Sequence, residues 1–275
     1  MTLELLLFTT SPALAQRSLA GGVGGIVVDW ERVGKTERQL GADTVVSRDL
    51  PADLERMRAA VAARLICRLD RVGPWTPEQL ELAVRLGADE VLLPMVRRPE
   101  EVEHVLELAD GRCGVGILVE TVDALADPGA LVILPVSRVY VGLNDLAIER
   151  RTPSIFTALA DGTVESLRRI CTEVPFGFGG MTVPESGHPI PATLLLGELV
   201  RLSADFTFLR RSFWRDVADR DAASAVASIH AAVAAATKRD AQAVGRDRAA
   251  LVAAIEGLAG APKAREAPGS SPPSS

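Results

Sequence analysis

Eight short apolar runs recur along the chain, and segments with helical periodicity separate most of them. The runs are LELLLF (3–8), GIVVDW (25–30), LICRLD (65–70), EVLLPMV (90–96), VGILVE (115–120), RVYVGL (138–143), FGFGGM (176–181) and FTFLRR (206–211). Most are continuous rather than alternating, which is typical of parallel strands covered on both faces. Strands that alternate with helices in this way predict a (β/α)8 TIM barrel, with a doubly wound open sheet as the alternative.

Four segments between the runs carry clear helix signals, at 76–87, 98–110, 161–171 and 190–203. The first ends at Gly87, and glycine is common just past a helix C-terminus. A further helix is predicted to begin at Pro12, after Ser11. The glycine-rich stretch AGGVGG (20–25) precedes a strand instead of joining a strand to a helix, so it does not fit a dinucleotide-binding loop.

The C-terminal part has a different composition. It is alanine-rich and helical from Asp221 to about Leu258, and it then becomes rich in Pro, Ser and Gly. We therefore predict a catalytic barrel (1–235), a C-terminal helical extension (236–258) and a disordered tail (259–275). The extension either packs on a neighbouring subunit of a homo-oligomer or is the last barrel helix with a frayed end.

Charge and cysteine content argue against several classes of protein. The net charge is −6 and no basic stripe occurs, which argues against a nucleic-acid surface. Cys67, Cys113 and Cys171 lie far apart and are odd in number, so a zinc pair and a complete disulfide set are not expected.

The N-terminal apolar run differs from a signal peptide, because Glu4 interrupts it and no basic residue precedes it. No run reaches the ~18 apolar residues of a membrane span. We expect a cytoplasmic protein.

Acidic residues stand at the predicted carboxyl ends of two consecutive strands. Glu120 closes the fifth run, and Asp145 follows the sixth. Barrels of this type carry their chemistry at that end, and adjacent strands lie about 4.8 Å apart, so both carboxylates can reach one cation. Carboxylates without His or Cys favour Mg²⁺ or Mn²⁺. Alternatively, each acid only caps the helix that follows its own strand.

Five motifs, in their order and spacing, resemble the class II 2-oxo acid aldolase and citrate lyase β-subunit family. They are DWE after the second run, Arg68 within CRLD, LLPMV at the fourth run, ILVET at the fifth and GLNDL at the sixth. The resemblance covers about residues 1 to 215. It implies a (β/α)8 barrel of the phosphoenolpyruvate/pyruvate type, whose members make or break a carbon–carbon bond through a metal-bound enolate.

The resemblance also implies roles for individual residues. Glu120 and Asp145 would hold the metal, and Arg68 would contact the oxo or enolate oxygen. A divalent metal and a fixed guanidinium both stabilise the negative oxygen of an enolate. The implied substrate-binding residues are Pro94, Gly142, Leu143 and Asn144, with the backbone of Gly142 and Leu143 facing a carboxylate.

Arg32 departs from the family pattern. The aldolase branch usually has His at this position, next to the glutamate of the strand-two motif, and the thioester-lyase branch has an acidic pair. Asp29 and Glu31 are therefore the candidates for proton transfer, as an acid or through a metal-bound water. Alternatively, they pair with Arg32, Lys35 or Arg68.

Two further segments carry weaker signals. Arg150 and Arg151 follow GLNDL and either bind a phosphate or second carboxylate or form a solvated turn. The loop of residues 179–188 leaves the seventh strand, where barrels often bind phosphate, although a tight loop also needs small residues. It ends at His188, a weaker catalytic candidate.

The predicted function is a divalent-metal-dependent carbon–carbon lyase or synthase that acts on pyruvate, phosphoenolpyruvate or a related 2-oxo acid. One alternative is a lyase acting on a CoA thioester, which would need a basic groove for the nucleotide, and the sequence shows none clearly. The other alternative is a non-catalytic barrel subunit.

Overall fold

Eight parallel strands close into a barrel in chain order, and the last strand pairs with the first. The computed structural model describes residues 2–34, 49–210, 212–217 and 221–260. The strands are β1 (Glu4–Phe8), β2 (Gly25–Asp29), β3 (Arg64–Arg68), β4 (Glu90–Leu93), β5 (Gly114–Val119), β6 (Arg138–Val141), β7 (Phe176–Phe178) and β8 (Phe206–Leu209). The predicted (β/α)8 barrel is confirmed, and the open-sheet alternative is wrong.

All strands except β1 end earlier than their apolar runs. Pro94 follows β4 and has no backbone N–H for the ladder. Gly142 follows β6 and is already the N-cap of the next helix. Gly179 follows β7 with a φ of 71°, which no strand residue adopts. The predicted end of the eighth strand, at residue 211, lies outside the described residues.

Helices cover the outside of the barrel between the strands. They are α1 (Pro12–Ala20), α2 (Pro51–Ala60), α3 (Thr76–Arg85), α4 (Pro99–Ala109), α5 (Val122–Ala126), α6 (Pro128–Val132), α7 (Leu143–Arg150), α8 (Thr157–Ala160), α9 (Thr163–Ile170), α10 (Ala192–Arg201), α11 (Ser212–Asp216), α12 (Ala222–Ala236) and α13 (Ala241–Gly260). All four predicted helical segments contain a helix. Within the described ranges, none of these helices is long and apolar enough to cross a membrane.

Side chains alternate between the two faces of the barrel wall, as they must in strands. One set packs outward against the helices and forms the main core. The other set fills the barrel interior and comprises Leu6, Val27, Ile66, Leu92, Leu118, Tyr140, Phe206 and Phe208. The interior is therefore filled. The polar residues two positions further along, Asp29, Arg68 and Glu120, lie at the carboxyl end of the barrel.

Ion pairs between buried Arg138, buried Glu90 and half-buried Glu4 close the amino-terminal end of the barrel. Arg138 donates from Nε to Glu90 Oε1 at 2.7 Å and from Nη1 to Glu4 Oε2 at 3.1 Å. Its guanidinium also lies 4.7 Å from the centre of the Phe206 ring. These contacts join β6 to β4 and to β1, which are not its neighbours in the barrel. They therefore stabilise the end of the barrel opposite the predicted site.

The C-terminal helices pack on the barrel of their own chain. Helix α12 contacts α1 and α10, and α13 contacts α8 and α10. Leu251 and Ile255 of α13 are buried. Arg248 donates to Glu198 Oε1 and to the Leu159 carbonyl, both at 2.9 Å.

The extension differs from its prediction in extent. Helix α13 begins at Ala241, not at residue 236, and it continues through Gly245 without a break. It ends at Gly260, so residues 259 and 260 belong to a helix and not to the predicted tail. The rest of the predicted tail, 261–275, lies outside the described residues.

Candidate active site

Glu120 stands immediately after β5, with 3% of its surface exposed. Its Oε1 accepts a hydrogen bond of 2.9 Å from the backbone N–H of Met95. Met95 has a φ of 55°, which is uncommon for a residue other than glycine. The chain leaving β4 thus adopts a costly conformation in which its N–H reaches the Glu120 carboxylate, and such conformations cluster at functional sites.

The Glu120 side chain lies directly against Gly142. A Cβ atom at position 142 would be 2.0 Å from Glu120 Oε2 and 2.9 Å from Glu120 Cβ. Gly142 has a φ of −79°, so glycine is needed here for space and not for backbone conformation. This close approach fixes the Glu120 carboxylate, at the end of β5, against Gly142 at the end of β6.

Carboxyl groups crowd around Glu120. Burial raises the pKa of Glu120 well above its usual range, and the charges of Asp145 and Glu31 raise it further. The Met95 N–H and the Arg68 guanidinium act in the opposite direction but do not outweigh them. Asp145 lies in the first turn of α7, the helix that starts at the end of β6. A cation at this position would reverse the effect on Glu120, because an opposite charge favours the ionised carboxylate.

The chemistry of Glu120 and Asp145 fits a hard divalent cation. Both offer carboxylate oxygens, which Mg²⁺ and Mn²⁺ prefer. Across the part of the chain that the structure describes, no three His, Cys, Asp or Glu side chains are grouped so as to hold a metal. An ion here would therefore depend on two carboxylates together with water and substrate, as Mg²⁺ sites commonly do.

Arg68, the last residue of β3, forms a fork with Asp29. Its Nε donates to Asp29 Oδ1 at 2.8 Å and its Nη2 to Asp29 Oδ2 at 2.6 Å. Nη2 also lies 3.4 Å from Glu31 Oε2. The guanidinium sits over the Phe8 ring, 5.1 Å from its centre. Burial lowers the pKa of Arg68, but Asp29 and Glu31 outweigh this and raise it, so the guanidinium stays charged.

The two strand-two acids are thus partners of Arg68, as one of the sequence alternatives anticipated. Both are buried, and the Glu31 N–H donates to Asp29 Oδ1 at 3.1 Å. Arg32 is engaged elsewhere: its backbone N–H donates to Asp70 Oδ1 at 2.6 Å, and its guanidinium donates to the Asp49 carbonyl. Lys35, the third possible partner, lies outside the described residues.

The predicted substrate-binding residues lie around the same opening. Pro94 is buried and directly precedes Met95. Gly142 is the N-cap of α7, and Leu143 and Asn144 are its first two residues rather than the end of a strand. The first N–H groups of a helix have no partners within it and carry the positive end of its dipole. This helix start could therefore bind the carboxylate of a substrate.

An aromatic layer lies beneath the opening, and the sequence analysis did not identify it. The ring centres of Tyr140 and Phe208 are 4.3 Å apart, and those of Phe8 and Phe208 are 5.0 Å apart. Burial raises the pKa of Tyr140, and Glu120 adds to this. The two-residue alternation along β6 and β8 was the signal that could have placed these rings.

The weaker candidates are placed as follows. Arg150 donates to Asp161 Oδ2 at 2.6 Å and to Thr163 Oγ1 at 3.1 Å, which favours the structural alternative. Arg151 is the exposed C-cap of α7. His188 is exposed on the loop after β7.

A closed (β/α)8 barrel with acids and an arginine at the carboxyl ends of its strands has the layout of an enzyme barrel. Among solved structures, the chain is similar to "HpcH/HpaI aldolase from Desulfitobacterium hafniense DCB-2". The TM-score is 0.56 with 13% sequence identity, over 79% of this chain and 90% of that chain. No protein-family model and no curated protein matches the sequence. The resemblance drawn from the five motifs is therefore confirmed at the level of the fold.

Proposed function

We propose that this chain is a divalent-metal-dependent lyase of the aldolase type, acting on pyruvate, phosphoenolpyruvate or a related 2-oxo acid. The observation that carries the proposal is the buried Glu120 carboxyl, which is placed close to Asp145 and Glu31 at the mouth of the barrel. The fold shared with an HpcH/HpaI aldolase supports the same class of reaction.

Glu120 and Asp145 are the residues that would hold Mg²⁺ or Mn²⁺. When bound, the ion acts as a Lewis acid that stabilises negative charge on the oxo oxygen of the substrate. Arg68 supplies fixed N–H donors for the same oxygen, since Asp29 holds its guanidinium on one side. The N-terminus of α7 provides the N–H groups for the substrate carboxylate.

Glu31 is the better proton-transfer candidate of the two strand-two acids. Asp29 accepts two short hydrogen bonds from Arg68, and such bonds make a carboxylate a weaker base. Glu31 lies farther from the same guanidinium, with its Oε2 3.4 Å from Arg68 Nη2. We assign Asp29 to positioning Arg68 and Glu31 to accepting a proton from the substrate.

The exchange of the methyl protons of pyruvate in D₂O tests this proposal. The ion and Arg68 should acidify protons next to the carbonyl, so the chain with Mg²⁺ or Mn²⁺ should exchange them faster than the metal alone. Proton NMR follows the loss of the methyl signal. EDTA and Asp145→Asn should both suppress the exchange, and Glu31→Gln should slow it while pyruvate still binds. Binding of pyruvate and metal together without exchange above background would refute the enolisation step.

A further inference from the structure

Arg210 carries a buried hydrogen-bond donor that the proposed function does not use. It follows β8 directly, and its Nε is buried without a hydrogen-bond partner. Burial lowers the pKa of Arg210, while Asp216 raises it and Arg215 lowers it. A buried charged donor without an acceptor is costly, and native structures rarely keep one without a reason.

The position of Arg210 is at the mouth of the barrel. Phe206 and Phe208 face the barrel interior, and the two-residue alternation starts the Arg210 side chain on the same side. The end of β7 leaves space next to it. A Cβ atom at Gly180 would be 3.1 Å from Arg210 Cβ, and a Cβ atom at Gly179 would meet nothing within 4 Å.

Strand β7 lies between β6 and β8. The proposed metal ligand Asp145 lies in the first turn of α7, which follows β6. Two strand spacings correspond to roughly 10 Å. A small molecule bound at the proposed metal position can therefore extend toward β8. Loops after the seventh and eighth strands of such barrels also frequently bind anionic groups.

We propose that Arg210 binds an oxyanion, a carboxylate or a phosphate, at the end of the substrate remote from the 2-oxo acid. This inference rests on the proposed function and narrows its substrate class to 2-oxo acids that carry a second anionic group. The unpartnered Nε and the open space beside Gly179 and Gly180 provide the donor and the room for such a group.

Matched 2-oxo acids test the inference. 2-Oxoglutarate and 2-oxoadipate carry a distal carboxylate, and 2-oxopentanoate and 2-oxohexanoate have the same chain lengths without it. In the presence of Mn²⁺, the wild type should bind at least one of the diacids about tenfold or more tightly than the monoacid of the same length, because the distal carboxylate pairs with the buried Nε of Arg210. Arg210→Gln should reduce that ratio to near one and leave the affinity for the monoacid within about twofold. Arg215→Gln, the control at an exposed arginine nearby, should keep the preference.

Inorganic phosphate without metal provides a second arm that does not depend on the proposed function. Phosphate should raise the melting temperature of the wild type and of Arg215→Gln more than that of Arg210→Gln. A phosphate effect at Arg210 without a diacid preference identifies a phosphate as the distal group, whereas a diacid preference alone identifies a carboxylate. If the 2-oxo acids bind but neither arm depends on Arg210, the inference is wrong and the proposed function stands. If no 2-oxo acid binds, the proposed function fails, and Arg210 is an anion site only if phosphate protection requires it.

Discussion

At the scale of single residues, Glu120 joins three strand ends. It follows β5 directly, accepts the N–H of Met95 after β4, and lies against Gly142 after β6. Glu120→Gln keeps the oxygen that accepts this N–H and removes the charge. The variant should therefore fold with an unchanged or higher melting temperature, and it should lose Mn²⁺ affinity by about a hundredfold or more, since a metal ligand must be ionised.

Asp145→Asn should lose Mn²⁺ affinity to the same extent. Isothermal titration calorimetry measures both variants, and Glu103→Gln on the exposed side of α4 is the control. Wild-type affinity in either site variant would remove that residue from the metal site.

Arg68→Lys should lower the exchange activity by about a hundredfold. The fork of two N–H groups on Asp29, with Glu31 beside it, requires a planar guanidinium, and a lysine ammonium is a point charge on a flexible stem. Circular dichroism should show a folded barrel. Turnover within threefold of the wild type would contradict the role of Arg68.

The three thiols should react at very different rates. Burial raises the pKa of Cys171 to about 11 and raises that of Cys67 well above its usual value, whereas Cys113 is half-buried with a smaller rise. A higher pKa means less thiolate, and the thiolate is the reactive form, so at pH 8 only about 0.1% of Cys171 is reactive. A disulfide reagent should therefore modify Cys113 first. Cys113→Ser should remove the fast phase, and three equal rates in the native protein would contradict this order.

The positions of the site residues could largely be predicted from the sequence, but their contacts could not. Apolar runs locate the carboxyl end of each strand, although not its last residue, which is why Glu120, Asp145 and Arg68 were all expected at the barrel mouth. The left-handed backbone of Met95 and the buried Nε of Arg210 depend on how neighbouring loops pack. No local pattern encodes such contacts between distant segments. The roles assigned to the site residues, a homo-oligomer and a cytoplasmic location stay predictions.

At the scale of elements, the junction of β5 and β6 sets the geometry of the site. Gly142→Ala would place a methyl group 2.0 Å from Glu120 Oε2, so the carboxylate must move. We expect Mn²⁺ affinity to fall by about tenfold or more, with a loss of about 1–3 kcal/mol in stability from overpacking. Calorimetry and chemical denaturation measure the two effects.

Gly245→Ala is the matched control for Gly142→Ala. A Cβ atom at Gly245 would meet nothing within 4 Å, and the residue lies inside α13. This variant should gain about 0.5–1 kcal/mol because alanine favours a helix, and its metal affinity should not change. An equal effect of both substitutions on Mn²⁺ binding would show that contact with Glu120 is not the cause.

Element types were predictable where element ends were not. Burial decides whether a run is apolar, and the side chains after β5 and β6 stay buried although the ladder has stopped. Hydrogen bonding decides where a strand ends. The ends of β4 and β6 depend on Pro94 and Gly142, and the apolar runs continue beyond both residues. The run of residues 138–143 therefore included the first residue of α7.

At the scale of the whole molecule, α13 packs against the helices that surround the barrel. Leu251 is fully buried against the barrel, whereas Ile133 is 81% exposed. Leu251→Ala should lower the free energy of unfolding by about 2–4 kcal/mol, and Ile133→Ala should change it by less than about 0.5 kcal/mol. Urea denaturation measures both. Similar values for the two variants would mean that α13 is not part of the cooperative unit.

The pairing of β1 with β8 has a consequence for the synthesis of this protein. Glu4 lies opposite Phe206, so β1 leaves the ribosome long before its partner β8. At about 5–20 residues per second, the roughly 200 residues between them take about 10–40 s to translate. Throughout that interval one edge of β1 has no partner, and an unpaired apolar strand is a template for pairing with other chains. The closed barrel protects this edge when complete, but the nascent chain is most exposed to aggregation just before its eighth strand emerges.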